Sequence, residues 1–403
     1  MSKLVLDGAV LWLGDGRTQR GHVVVADGRI ESVGTGRYSG DLAAIDLAGT
    51  ALSPGMIDLM LLGGFDMSIV HDDAIEIARR YLRLGVTSVQ FTGGMLPSQT
   101  IEKLASRMRQ VAGHRDADAA HVWGVYMEGP FMDPDFVGGG LRIHAQAPTT
   151  TNVQRIVDLF GEVMMMMNIS PGTEGDVEAV HRLRDAGKVV SMAHSNAPAG
   201  RVKACLDAGT TVLGHCWDNN SGLLGDSGVQ QPTIEHVALT DDRVEFIHLI
   251  CDGTHVHSVM VELVRRCRGV EAICLVTDAN QKSGTPDGEF IRDSGDVFYK
   301  RDGVCRKKRD NGLAGSATFL PDDFRNFVRF TGVRPHEAIR TVTSNPARSL
   351  GIDDRVGLIA PGLLADLIAW DDRLRVRRIW LGGREIKPVS DLAEVQADPV
   401  KLA

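Results

Sequence analysis

Val122-Trp-Gly-Val-Tyr-Met-Glu128 is a short apolar run that stops on an acid. It is too short for a buried helix and is followed by a Gly-Pro pair, so it reads as a strand covered on both faces. The pattern recurs at Met56 to Leu62, Ser88 to Thr92, Val163 to Ile169, Val189 to Ala193, Thr211 to Gly214, Glu245 to Ile250 and Ala272 to Thr277, making eight runs with the first. Amphipathic stretches separate them, among them Asp73 to Leu84, Ile101 to Val111, Arg201 to Ala208 and Ser258 to Cys267. Alternating buried strands and one-faced helices predict an α/β fold, a (β/α)8 barrel of the TIM type, with its site at the C-terminal strand ends. A helix around Pro335 to Leu350 is expected to follow the last unit, and the turn-rich segment Lys282 to Asn311 to be a long excursion after the eighth strand.

Outside this core the period changes. From Leu4 to Leu52 short β-like runs are broken by Asp7-Gly8, Asp15-Gly16 and Asp27-Gly28, which are hairpin signals. Beyond Asp353 the chain turns β-like again, through Gly357 to Trp370, Val376 to Leu381 and the Gly382-Gly383 turn. Both chain ends, residues 1–52 and 353–403, are therefore expected to share a small β-sandwich domain beside a barrel of residues 53–352.

With 403 residues and 43% apolar content the chain can bury a large core. A net charge of -8 argues against nucleic acid or an anionic membrane surface as partner. Neither a secretory signal nor an apolar stretch of the roughly 18–20 residues that span a bilayer is read, so a cytoplasmic location is expected. Cys205, Cys216, Cys251, Cys267, Cys274 and Cys305 show no C-x-x-C spacing and read as buried, reduced thiols. The methionine run Met164 to Met167 reads as core filling.

The polar residues fall where a barrel would gather them. Glu128 follows the third run, His194 the fifth, His215 the sixth, Asp252 and His255 the seventh, and Asp278 the eighth. A lone histidine at a strand end is more often a hydrogen-bonded packing residue, and a lone aspartate more often a helix cap. Agreement across five strands outweighs that: one carboxylate and two imidazoles from separate strands are the donor set of an open catalytic metal site. His144, in a loop reading Gly138-Gly-Gly-Leu-Arg-Ile-His, could donate to a carbonyl oxygen or be an ordinary solvated histidine. Alternation points Cys216 away from His215 and makes it structural. His71, His114, His121, His236 and His336 read as surface or packing residues.

Tyr126-Met-Glu-Gly-Pro-Phe131, Ala193-His-Ser-Asn-Ala197, Gly214-His215, Asp252-Gly-Thr-His255, Leu275-Val-Thr-Asp-Ala279 and Leu313-Ala-Gly-Ser-Ala317 resemble, in order and spacing, the signature blocks of N-acetylglucosamine-6-phosphate deacetylases. Ser344-Asn-Pro-Ala-Arg-Ser-Leu-Gly351 and the stretch Gly357 to Asp366 resemble the wider amidohydrolase superfamily. The resemblance implies a metal-dependent amide hydrolase that deacetylates an N-acetyl amino sugar. Glu128, His194 and His215 would then hold one divalent metal ion per chain, zinc first, with iron(II), cobalt or manganese suited to the same donors. Asp278 would be the acid/base, with His255 or His144 beside the developing oxyanion. Asp218, Asn219, His255, Leu313, Ala314 and Gly315 would line the substrate pocket, and the chain would form a homodimer.

Two departures from the family pattern stand out. Most amidohydrolases carry His-x-His at the end of the first strand, whereas this chain has Met60 and Leu62, which argues against a second metal. The family's sixth-strand block continues to an arginine that reaches the sugar phosphate of the neighbouring subunit. Here residues 216–232 contain no Lys or Arg, while a phosphate dianion needs a cation or converging N–H donors. Arg142, Arg201 and Lys282 are the substitutes in sequence. Two other readings therefore stay open: a hydrolase of N-acyl amino acids or cyclic amides, and a non-catalytic binding protein on a decayed hydrolase scaffold.

Overall fold

The computed structural model describes residues 3–114, 118–136, 139–218, 223–224, 228–291, 297–309 and 311–389. Among the described residues eight parallel strands form one continuous sheet: β1 (Met56–Leu61), β2 (Val86–Gly93), β3 (His121–Met127), β4 (Met164–Asn168), β5 (Val189–Met192), β6 (Val212–Leu213), β7 (Phe246–Leu249) and β8 (Ile273–Leu275). Spatial order follows chain order. The sheet closes on itself where the Asp278 N–H donates to the Met60 carbonyl at 2.9 Å and Leu61 bridges Ala279. That is a TIM-type barrel.

A helix follows each strand: α1 (Ala74–Leu82), α2 (Ser98–Val111), α3 (Thr150–Phe160), α4 (Asp176–Asp185), α5 (Ala199–Asp207), α6 (Ile234–Thr240), α7 (Ser258–Arg268) and α8 (Leu320–Thr331). Their apolar stripes, such as Ile77, Ala78, Tyr81 and Leu82 of α1, pack on the outward faces of the strands in one large core. The inward faces carry polar groups as well. Gln90, Asn168, Ser191 and His248 are fully buried, Ser191 donates to the Tyr126 hydroxyl at 3.0 Å, and burial pushes the His248 imidazole down to about 3, so it is neutral.

The last unit closes with α8, and the helical segment expected after it follows there, though not as one helix. Residues 335–350 instead form short pieces, Pro335–Ala338, Ile339–Val342 and Ser344–Leu350. The break falls at Thr343, whose backbone leaves the helical region at φ -132°, ψ -86°. The excursion before α8 is also more ordered than its turn-rich sequence suggests, with β9 (Gly288–Ile291), β10 (Val297–Arg301) and β11 (Val304–Lys307) forming an antiparallel sheet.

The chain ends meet in a separate β-rich unit. Ala51–Pro54 lies between Lys3–Trp12 and Leu367–Trp370, with Leu52 facing Ala369 across an antiparallel pair. One residue later the same backbone enters β1 through Gly55, where any Cβ would stand 2.1 Å from the Thr87 hydroxyl. This direct continuation ties the two sheets together. Five of the six cysteines are buried; Cys267, expected to be buried, is exposed at the end of α7. No described helix is long and apolar enough to cross a membrane.

Candidate active site

Because all eight strands are parallel, the residues that follow them meet at one mouth. Glu128, His194 and His215, from the ends of β3, β5 and β6, converge there: Glu128 Oε1 lies 2.9 Å from His194 Nε2 and 3.0 Å from His215 Nε2, and the two imidazole nitrogens are 2.9 Å apart. Among the described residues this is the one cluster of three whose donor atoms suit a metal ion. His194 Nδ1 lies 3.3 Å from the Phe136 carbonyl, a partner that would hold a proton on Nδ1 and free Nε2 for a metal ion.

The electrostatics call for positive charge. Burial alone would raise Glu128, but hydrogen bonds and charge from His194 and His215 hold it well below the usual carboxylate range. Burial opposes charge on His215 too, yet the Glu128 carboxylate outweighs it and pushes His215 up to about 10. In a chain without metal, protons therefore fill the role of the cation. A divalent ion bound by one oxygen and two imidazole nitrogens would displace them, and the donor set fits such an ion with a position left open.

Asp278 stands beside this cluster at the end of β8. Burial, and then the Glu128 charge, pushes its carboxyl up to about 7, the range in which a group both takes and returns a proton. His194 and Asp278 both adopt positive φ, 52° and 49°, a strained region for residues with a Cβ and one that recurs at functional positions. The Asp278 carbonyl accepts from Ser316 N at 3.0 Å, and a Cβ on Gly315 would lie 2.9 Å from that carbonyl, so the approach requires glycine.

His255 completes the polar wall. Its Nδ1 is 2.7 Å from Asp252 Oδ2, and Asp252 also accepts from Ser316 Oγ at 3.2 Å and from the backbone of Thr254 and His255. Burial works against charge on His255, but the Asp252 carboxylate prevails and its pKa is raised. The pair fixes the ring with Nε2 free of any described protein partner and facing the cavity.

The cavity over these groups has a volume of about 230 Å³. Glu128, His194, His215, Asp218, His255, Asp278, Leu313, Ala314 and Gly315 line it, as does His144 on the loop above. Asn219 lies outside the described residues. None of His71, His114, His121, His236 and His336 reaches it. Sequence reasoning missed the β2 end, Thr92 to Met95, although its Gly93-Gly94 pair after an apolar run was a readable signal of close approach. It also missed Asn280, Gln281 and Lys307, and for Lys307 no signal existed.

Residues 139–401 match the model of the Amidohydrolase family. The chain is 32% identical over 336 residues to the N-acetylgalactosamine-6-phosphate deacetylase of Escherichia coli O157:H7, covering 83% of this chain and 87% of that one. It is 29% identical to the N-acetylglucosamine-6-phosphate deacetylase of Vibrio furnissii, covering 85% and 84% of the two chains. Among solved structures, a mutant N-acetyl-D-glucosamine-6-phosphate deacetylase of Mycobacterium smegmatis in complex with N-acetyl-D-glucosamine-6-phosphate superposes with a TM-score of 0.85 at 25% identity, covering 96% of this chain and 99% of that one.

Proposed function

This chain belongs to the amidohydrolase family, in its branch of N-acetylglucosamine-6-phosphate deacetylases, and from that membership we propose that it hydrolyses the acetamide of an N-acetylated hexosamine 6-phosphate. The observation that carries the reading is the convergence of Glu128, His194 and His215 beside a buried Asp278 in one cavity. A divalent ion held by Glu128, His194 and His215 supplies, when bound, Lewis-acid polarisation and a water whose pKa falls to about 7. Asp278 accepts a proton from the attacking water as its oxygen bonds to the acetyl carbon. The same carboxyl then returns the proton to the amide nitrogen as the carbon–nitrogen bond breaks, giving acetate and the free amino sugar phosphate. His255, oriented by Asp252, donates from Nε2 to the carbonyl oxygen as it gains charge. His144 on the overlying loop contacts the sugar, together with Asp218 and the Leu313-Ala314-Gly315 turn.

The reading includes zinc as resident ion, with iron(II), cobalt or manganese acceptable to the same donors. It also includes a cytoplasmic homodimer. The test is mass-spectrometric detection of acetate and free amine from N-acetylglucosamine 6-phosphate, N-acetylgalactosamine 6-phosphate and a panel of N-acetyl amino acids. Amine release from either sugar phosphate in preference to the amino acids is the expected result; release from the amino acids alone would replace the substrate class.

A further inference from the structure

A sugar phosphate brings two negative charges into a cavity whose walls already carry Glu128, Asp218 and Asp278. Something must receive them, and the stretch after β6 offers no cation, since residues 216–232 contain no Lys or Arg. The three substitutes visible in sequence are all committed elsewhere. Arg142 pairs with Asp135 at 2.6 Å, Arg201 with Asp176 and Lys282 with Asp66, and none of the three lines the cavity.

Lys307 does line it, and among the described lining residues it is the one Lys or Arg. It ends β11, where its half-buried side chain is held by a defined backbone: its N–H donates to the Gly312 carbonyl at 2.8 Å and it faces Phe298 across the sheet. Its neighbour Lys308 is taken by Glu289 at 2.8 Å, whereas no carboxylate stands within ion-pair distance of Lys307 among the described residues. The hairpin is also tied to the reacting end. Lys307 pairs with Gly312, Cys305 accepts from Ala314 N at 3.2 Å, and Ser316 N donates to the Asp278 carbonyl at 3.0 Å. Four residue steps along the chain from Gly312 to Ser316 therefore separate the two pairings, at most about 13 Å if fully extended. That is a distance one hexose ring with its substituents, plus a lysine side chain, can bridge.

We propose that Lys307 is the anion-recognition residue of this cavity and receives the substrate phosphate. The proposal rests on the deacetylase reading above for the identity of its ligand. Lys307 offers the phosphate a cation on the hairpin side of the cavity, which leaves the acetamide to face the Glu128–His194–His215 set.

The test compares wild type with Lys307→Ala and Lys307→Arg on N-acetylglucosamine 6-phosphate and on N-acetylglucosamine. The ratio of kcat/KM for the phosphorylated over the neutral sugar should fall about 10- to 100-fold in Lys307→Ala, through KM, and recover most of the way in Lys307→Arg. An unchanged ratio, an equal loss on both sugars, or a wild type without phosphate preference would each overturn the proposal while leaving deacetylation intact. Calorimetric binding of glucose 6-phosphate gives a readout without turnover: binding weakened at least tenfold in Lys307→Ala supports the anion site even if no sugar is deacetylated, and unchanged binding overturns it.

Discussion

Two arcs of one barrel mouth carry opposite chemistry. The ends of β3, β5, β6 and β8 present Glu128, His194, His215 and Asp278, while β1 offers Met60, which is fully buried, and Leu62, which lines the cavity. The first arc concentrates buried charge that only protons or a cation can balance. The second supplies shape and closure. The donor groups thus sit on one side of the mouth, and β1 contributes through hydrogen bonding instead, because Asp58 lies buried on it just below Met60. Its carboxylate accepts from the Thr277 hydroxyl at 2.6 Å and from the Met60 N–H at 3.2 Å. That contact ties β1 to β8, the strand that bears Asp278.

The largest effect should come from emptying the charged arc. His194→Ala and His215→Ala should each reduce metal content from about one ion per chain to near zero and lower amine release by about 10⁴-fold or more; full metal occupancy in both would show that the donors are assigned wrongly. Asp278→Asn should keep the metal and lose about 10²- to 10⁴-fold in kcat. Wild-type turnover in that variant would remove Asp278 from proton transfer. On the apolar arc, Met60→His combined with Leu62→His should add up to one further equivalent of metal by elemental analysis, and an unchanged content would place the β1 end out of reach.

The smallest effect concerns Asp58. Burial raises its pKa from 3.8 to about 6, with hydrogen bonds from Thr277 and Met60 opposing. A raised folded-state value means that the folded chain holds this proton more tightly than the unfolded chain does. The stabilisation is fully present below pH 4 and is lost as pH rises through 6. Asp58→Asn keeps the shape and removes the titration. The stability of the variant relative to wild type should therefore grow by up to about 3 kcal/mol between pH 4 and pH 7; a flat difference in denaturant melts would mean that the carboxyl is not desolvated as described.

The same contrast explains what could be read in sequence. A parallel strand covered on both faces must be an apolar run, and the residue after it must lie at the mouth, so Val122 to Glu128 revealed both β3, which spans His121–Met127, and an acid that lines the cavity. The hairpin β9 to β11 obeys no such rule. Its strands are half-solvated; alternation places Lys307 with Phe298, Lys300 and Cys305 on one face and Arg301 on the other, yet Lys300 and Lys307 share that face and only Lys307 lines the cavity. Which one faces the cavity depends on how the hairpin docks, through Phe290, Phe298, Cys305 and Ala314, and that is a tertiary fact. The broken helix of residues 335–350 was hidden for a related reason, since packing against the barrel rather than propensity sets the geometry at Thr343.

The central claim is that the Glu128–His194–His215 set, loaded with one ion, drives hydrolysis of an acetamide on a phosphorylated amino sugar. The most direct measurement strips the purified protein with a chelator, returns zinc in steps, and follows metal per chain against the rate of amine release from N-acetylglucosamine 6-phosphate and N-acetylgalactosamine 6-phosphate. The stripped protein should release no amine, and the rate should rise linearly with zinc and saturate at about one ion per chain. Undiminished release from the metal-free protein, or full loading by zinc, iron(II), cobalt and manganese in turn without release from either sugar, would contradict the central claim.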